Sequence, residues 1–132
     1  MKYLKTYNKI FEKIITALDY SRCNLTELPE LPDTLEVLYC QNNNLTELPK
    51  LPESIEILVC ANNNLTSLPE LPDTLLTLYC ANNNLTSLPE LPESLEILEC
   101  EDNNLPYDDL EGYKKWYAKT YPERIEAKKY NL

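Results

Sequence analysis

Residues 31–50 read LPDTLEVLYCQNNNLTELPK, and residues 51–70 and 71–90 repeat the same pattern of letters. The period is twenty residues, and a weaker copy, with Ile15, Leu18 and Leu25 in equivalent positions, precedes the clear ones. The recurring residues are Leu35, Ile55, Leu75 and Leu95; Leu38, Leu58, Leu78 and Leu98; Cys40, Cys60, Cys80 and Cys100; Asn43, Asn63, Asn83 and Asn103; and Leu45, Leu65, Leu85 and Leu105. A repeat of this length predicts a solenoid, in which each coil buries its apolar side chains against its neighbours.

Each period contains one strand and one extended crossover. In LEVLYCQ, residues 35–41, Leu38 and Cys40 alternate with Val37, Tyr39 and Gln41, which is the periodicity of a strand. One strand per period can stack only as a parallel sheet. The crossovers carry two prolines three residues apart, which disfavours helix and matches the period of polyproline II. We therefore predict an α/β repeat solenoid with a parallel β-sheet on the concave side and a polyproline-II-like convex side.

The asparagine column has a structural interpretation. A carboxamide both donates and accepts hydrogen bonds, so it can satisfy backbone groups of the turn that leaves each strand. Stacked copies would form a ladder through the solenoid, and we assign that role to Asn43, Asn63, Asn83 and Asn103.

The cysteine column allows metal, disulfide and packing interpretations. Adjacent strands lie ~4.8 Å apart, so four cysteines would span about 14 Å, whereas one zinc ion needs four sulfurs at ~2.3 Å. In-register side chains seldom reach disulfide geometry. We interpret Cys40, Cys60, Cys80 and Cys100 as small hydrophobic residues in a narrow core, and we expect no metal and no cofactor.

The two ends of the chain should close the solenoid. We divide the chain into an N-terminal capping helix over 1–14, about five coils over 15–106 and a helical C-terminal cap over 107–132. Asp108 and Glu111 have the spacing of a capping box, and Pro122 is suited to begin a second helix. Between these signals an apolar stripe is expected to cover the last coil, with a binding role as the alternative: Leu110, Tyr113, Trp116, Tyr117 and Tyr121.

Composition excludes several classes of function. Lys and Arg number 12 against 22 Asp and Glu, a net charge of −10, so nucleic acid and membranes are not expected partners. The chain has no His and a single Gly, which leaves neither a common general base nor a phosphate-binding loop; we predict no catalytic residue and no enzyme activity. The N-terminal residues show no export signal, and five Cys fit a reducing, intracellular, cytoplasmic setting.

Strand residues that point away from the core form the predicted binding face. We nominate these for contact with a protein partner: Val37, Tyr39, Ile57, Val59, Tyr79, Ile97 and Glu99. Tyrosines in an apolar patch with a charged rim resemble an interface, although strand propensity alone also favours such residues. Residues 15–105 hold 16 acids and 2 bases, which would suit a partner with a basic surface. The alternative function is a structural role with self-association into homo-oligomers.

The unit LPxLPxxLxxLxxxxNxLxxLP resembles the short leucine-rich repeats of bacterial type III secreted effectors of the YopM and IpaH type, and related repeats occur in proteins of large DNA viruses. The resemblance covers residues 15–106, with Cys where an aliphatic residue is common. Only 26 residues, none of them Cys, follow Pro106, so we do not expect the ligase activity of the IpaH type here. The resemblance implies a recognition module that acts on a protein inside a host cell.

Overall fold

The computed structural model describes residues 15–130, and the predicted helix over 1–14 lies outside them. Five strands of three residues recur every twenty residues: β1 (Ala17–Asp19), β2 (Val37–Tyr39), β3 (Ile57–Val59), β4 (Thr77–Tyr79) and β5 (Ile97–Glu99). Two helices follow them, α1 (Leu110–Thr120) and α2 (Pro122–Lys129). The strands form one parallel sheet in the order of the chain. The predicted parallel solenoid is therefore confirmed, and a helix does begin at Pro122.

The strands are paired in register. Leu38 lies opposite Leu58 in the neighbouring strand, and Leu58 lies opposite Leu78. The backbone ladder continues past the short strands, with the Cys40 amide donating to the Val59 carbonyl at 2.8 Å. Side chains one period apart are therefore neighbours throughout the solenoid.

The core is one layer of stacked side chains. The strand leucines at 38, 58 and 78 are fully buried, and so are the leucines at 45, 65 and 85 after each turn. Leu48 and Leu51, which lie on a proline-bearing arm without helix or strand, are also buried. Burial of one such side chain contributes roughly 1.5–3 kcal/mol, and every coil supplies several of them.

The turns after β2, β3 and β4 depend on asparagine in place of glycine. Asn42, Asn62 and Asn82 have φ of 59°, 57° and 54°, and Asp102 in the last coil has φ of 55°. Asn and Asp enter this left-handed region more readily than other residues with a side chain. The first asparagine of each triplet thus turns the chain, which explains how a sequence with one Gly can form so many tight turns.

The second asparagine of each triplet connects neighbouring coils. The Nδ2 of Asn63 donates to the carbonyls of Cys40 and Cys60 at 3.0 and 3.1 Å, and its Oδ1 accepts from the Leu45 amide at 3.1 Å. Equivalent hydrogen bonds recur at Asn43, Asn83 and Asn103. Each buried side chain of the ladder thus satisfies backbone groups in its own coil and in the preceding one.

A second ladder, of hydroxyl groups, connects the ends of the proline-bearing arms. Ser54 Oγ lies 2.8 and 2.7 Å from the carbonyls of Asp33 and Leu35 in the preceding coil. Thr74 and Ser94 repeat this arrangement one and two coils further on. Side-chain hydrogen bonds therefore connect neighbouring coils on both sides of the core.

The start of α1 differs from the predicted capping box. The helix N-cap is Asp109, whose side chain accepts from the Gly112 amide at 2.8 Å, so the assignment of this role to Asp108 is wrong by one residue. The carbonyl of Asp108 instead accepts from the Cys100 amide at 2.9 Å. The backbone of Asp108 thus pairs with the edge of the last coil, and α1 begins after this residue.

Aromatic side chains pack on the last coil. Tyr107 is buried, with its ring centroid 5.1 Å from those of Tyr113 and Trp116. Tyr113 and Trp116 are partly buried against the core. Tyr117 and Tyr121 extend the stack outward, with centroids 5.2 Å apart. These contacts bury apolar surface that the next coil would otherwise cover.

Replacing Asn63 by Ala should lower the free energy of unfolding by about 3 kcal/mol or more, because several buried backbone groups lose their partner. Denaturation by urea measures this change. Asn64→Ala is the matched control, since the Asn64 side chain is exposed and the substitution leaves Asn63 and its hydrogen bonds in place. Equal effects of the two substitutions would show that the ladder does not stabilise the stack.

Candidate functional site

The outward side chains of the five strands form one surface, which we call the sheet face. Its first column consists of Ala17, Val37, Ile57, Thr77 and Ile97, and its second of Asp19, Tyr39, Val59, Tyr79 and Glu99. All seven nominated partner-binding residues lie in these two columns. Pairing of the strands in register brings them together, although they are as much as 62 positions apart in the sequence.

The middle of the sheet face is apolar and accessible. Tyr39 is 37% exposed and Ile97 is 44% exposed, and the side chains of Val37, Ile57, Val59 and Tyr79 are partly exposed between them. Among residues 15–130, the other large hydrophobic side chains that are this exposed are Ile125 and Tyr130, both near the end of the chain. The sheet face is therefore the place in the repeats where exposed apolar side chains adjoin one another.

Carboxylates border this apolar surface, most densely at the last coil. Glu96, Glu99, Glu101 and Asp102 are all exposed there. The ion pairs found in the described part of the chain, Lys115–Glu111 at 3.1 Å and Lys128–Glu93 at 3.2 Å, involve none of them. The sequence analysis nominated only Glu99 of this group, although Glu101 stands two residues after Glu99 and alternation along the chain places it on the same face.

In the first coil, the acidic side chain of the sheet face is hydrogen-bonded within the coil. The Asp19 carboxylate accepts from the Ser21 hydroxyl at 2.6 Å and from the Ser21 amide at 2.9 Å. These hydrogen bonds lower the pKa of Asp19 below its usual value. The charge of Asp19 is thus engaged within its own coil, whereas the carboxylates of the last coil face solvent.

The cysteine column is inside the core. Cys40, Cys60, Cys80 and Cys100 are completely buried free thiols. Burial raises the pKa of Cys40 and Cys100 to about 12, and it also raises the pKa of Cys60 and Cys80. All four thiols are therefore protonated at physiological pH, which makes them weak nucleophiles.

Two further features bear on chemistry in the described part of the chain: clusters of metal-ligating side chains and the crevice beside the helices. No cluster of His, Cys, Asp or Glu suited to a metal ion occurs among residues 15–130. A crevice of about 320 Å³ separates the last proline-bearing arm from the helices, where Leu91 and Pro92 meet Tyr113 and Ile125. Its lining is mainly apolar, and at its edge Lys128 pairs with Glu93 at 3.2 Å. Neither α1 nor α2 has the length and apolar character needed to cross a bilayer.

Comparison with known proteins places these features in a family. The Leucine Rich Repeat family model matches residues 34–56. YopM from Yersinia enterocolitica is 35% identical over 72% of this chain with a TM-score of 0.64, and YopM from Yersinia pestis, a leucine-rich effector protein, is 44% identical over 69% with a TM-score of 0.66. The leucine-rich-repeat domain of a Shigella effector is 33% identical over 77%, with a TM-score of 0.62. No curated protein matches the chain.

The chain is shorter than these structural relatives. It spans 26% of each YopM chain and 56% of the Shigella domain. The likeness therefore concerns the repeats and their fold, and it confirms the resemblance to effector repeats that the sequence indicates.

Thiol reactivity should separate Cys23 from the cysteine column. Cys23 is exposed, so at about pH 8 one thiol should react rapidly with a disulfide reagent, and the other four should react only as the protein unfolds. Rapid reaction of all five thiols in the native protein would contradict burial. The Cys23→Ser variant, which should lose only the fast phase, is the control.

The four buried thiols should make the free energy of unfolding decrease at alkaline pH. Their pKa in the folded state lies above the ordinary thiol value of 9.0, so their contribution to stability is complete below about pH 9. It should be lost as the pH rises from about 9 towards 12, because only the unfolded chain ionises readily there. Urea denaturation across this range measures the decline, and constant stability would contradict it.

Proposed function

Because the chain is a leucine-rich-repeat protein with repeats of the bacterial effector type, we propose that it is a non-enzymatic module that binds a protein partner through the sheet face. The observation that carries the proposal is the apolar surface formed by six of the seven nominated residues, with Tyr39 and Ile97 as its most exposed members. Tyrosine and branched aliphatic side chains surrounded by charge have the composition of an interface core and rim.

The rigidity of the repeats supports this function. The outward residues stand on strands whose inward neighbours, such as Leu38 and Cys40, are completely buried. A surface built on such a scaffold loses little conformational entropy when a partner binds. The outward positions can also carry different side chains without disturbing the core, because successive strand residues point to opposite faces.

The setting that fits this proposal is the interior of a cell, and for an effector-like protein the cytoplasm of a host. The buried thiols need no oxidising environment, since none of the five Cys in the described residues forms a disulfide. A protein partner, and not nucleic acid or a membrane surface, suits the net charge of −10.

The four exposed hydrophobic residues offer a matched test of this proposal. Tyr39→Ala with Ile97→Ala should abolish capture of the partner from host-cell lysate, because both anchors of the sheet face are lost. Ile125→Ala with Tyr130→Ala removes the same two residue types from α2 and its C-cap, and it should leave capture unchanged. Quantitative mass spectrometry of the retained proteins gives the readout, and the melting curves of both variants show whether they remain folded.

The outcome that would contradict the proposal is retention of the same proteins by the Tyr39→Ala, Ile97→Ala variant and the unsubstituted protein. Loss of capture in both double variants would place binding elsewhere or show that it follows general surface hydrophobicity.

A further inference from the structure

The sheet face is chemically polarised along the solenoid. At the first coil, Asp19 is engaged by Ser21. At the last coil, the carboxylates of Glu99 and Glu101 are exposed and form no ion pair or side-chain hydrogen bond within residues 15–130. Of these three outward carboxylates, the two that no side chain of residues 15–130 engages thus lie at one end of the apolar surface.

Tyr79 lies where the apolar and acidic parts of the sheet face meet. Within the second column it is flanked by Val59 on one strand and by Glu99 on the other, at the ~4.8 Å spacing of neighbouring strands. Ile97 occupies the first column of the same strand as Glu99 and is 44% exposed. An aromatic ring, an aliphatic side chain and a free carboxylate therefore adjoin one another on a rigid sheet.

No basic group of the neighbouring coils neutralises this end of the sheet face. The sequence from residue 51 to residue 113 contains neither Lys nor Arg. A negatively charged partner would be repelled over this whole stretch, whereas a positively charged segment would be attracted and steered towards it.

Resting on the proposed function, we propose that the partner presents an arginine-bearing basic segment to this end of the sheet face. The arginine guanidinium lies over the ring of Tyr79 and pairs with the carboxylate of Glu99 or Glu101. A guanidinium combines the required properties, because it is planar, stacks on aromatic rings and binds carboxylates through two parallel hydrogen bonds. Its aliphatic stem would cover Ile97.

Arginine is favoured over lysine by the same geometry. An ammonium group is more strongly hydrated and has no planar face to stack on Tyr79. A difference in affinity between arginine and lysine peptides of equal charge therefore measures the contribution of the Tyr79 ring. The affinity for basic peptides in general measures the contribution of the carboxylates.

Fluorescence anisotropy with two labelled peptides tests the inference on the full chain. One peptide alternates arginine with serine, and the other alternates lysine with serine at the same length and charge. The unsubstituted protein should bind the arginine peptide several-fold more tightly. Tyr79→Leu, which keeps an apolar side chain, should bind both peptides equally.

The carboxylates are tested with two charge-matched variants. Glu99→Gln with Glu101→Gln should weaken binding of the arginine peptide about tenfold, since the arginines of the peptide lose both carboxylates at this end of the sheet face. Glu53→Gln with Glu70→Gln makes the same change of charge on the proline-bearing arms, where both residues are exposed, and should leave the affinity nearly unchanged. Equal weakening by the two pairs, or equal affinity of the unsubstituted protein for both peptides, would overturn the inference.

Two further outcomes would also overturn it and are distinguishable from failure of the proposed function. In the first outcome, the Tyr39→Ala, Ile97→Ala variant loses capture, but the unsubstituted protein shows no preference for the arginine peptide. The sheet face would then bind a partner that is not basic. Self-association of the chain in sedimentation that disappears on Glu99→Gln with Glu101→Gln would assign the face to a second copy, whose basic residues Lys128 and Lys129 lie on α2.

Discussion

The stacking of coils in register is the constraint on which the rest of this structure depends. A single coil of twenty residues has too little volume to enclose its leucines or to satisfy the backbone groups of its turns. Contact with the next coil solves both problems, because Leu58 packs between its equivalents while Asn63 binds the carbonyls of Cys40 and Cys60. The apolar layer and the polar ladder therefore require the same alignment, and a shift of one residue would lose both.

The same alignment produces the candidate site. Residues that point outward from successive strands become neighbours, so Tyr39, Val59 and Tyr79 form a row although each is twenty residues from the next. The surface is assembled coil by coil, and its chemistry can change along the solenoid while the core remains constant. This explains how an apolar centre and an acidic end occur on one regular scaffold.

Much of this arrangement follows from sequence, because the twenty-residue period fixes which residues share a column. The burial of Leu38 and Cys40, the extended arms and the helix at Pro122 follow from local periodicity and proline chemistry. The position of the helix N-cap did not, since Asp108 and Asp109 are equally good caps and only the bond from Cys100 to the Asp108 carbonyl decides between them. The hydroxyl ladder of Ser54 and the left-handed turn at Asn42 also depend on backbone geometry that a pattern of letters does not specify. At the sheet face, the columns could be predicted from the repeat, whereas the finding that Glu101 forms no ion pair within residues 15–130 required the positions of the charges around it.

Deletion of a whole period tests the stacking most directly. Removing residues 61–80 should leave the remaining coils in register, so far-ultraviolet circular dichroism and urea denaturation should show a folded chain that unfolds cooperatively with reduced stability. Removing residues 61–70 deletes half a period, joins a strand to a proline-bearing arm and should abolish cooperative unfolding. Cooperative folding of both shortened chains, or of neither, would contradict a structure held together by coils aligned one period apart.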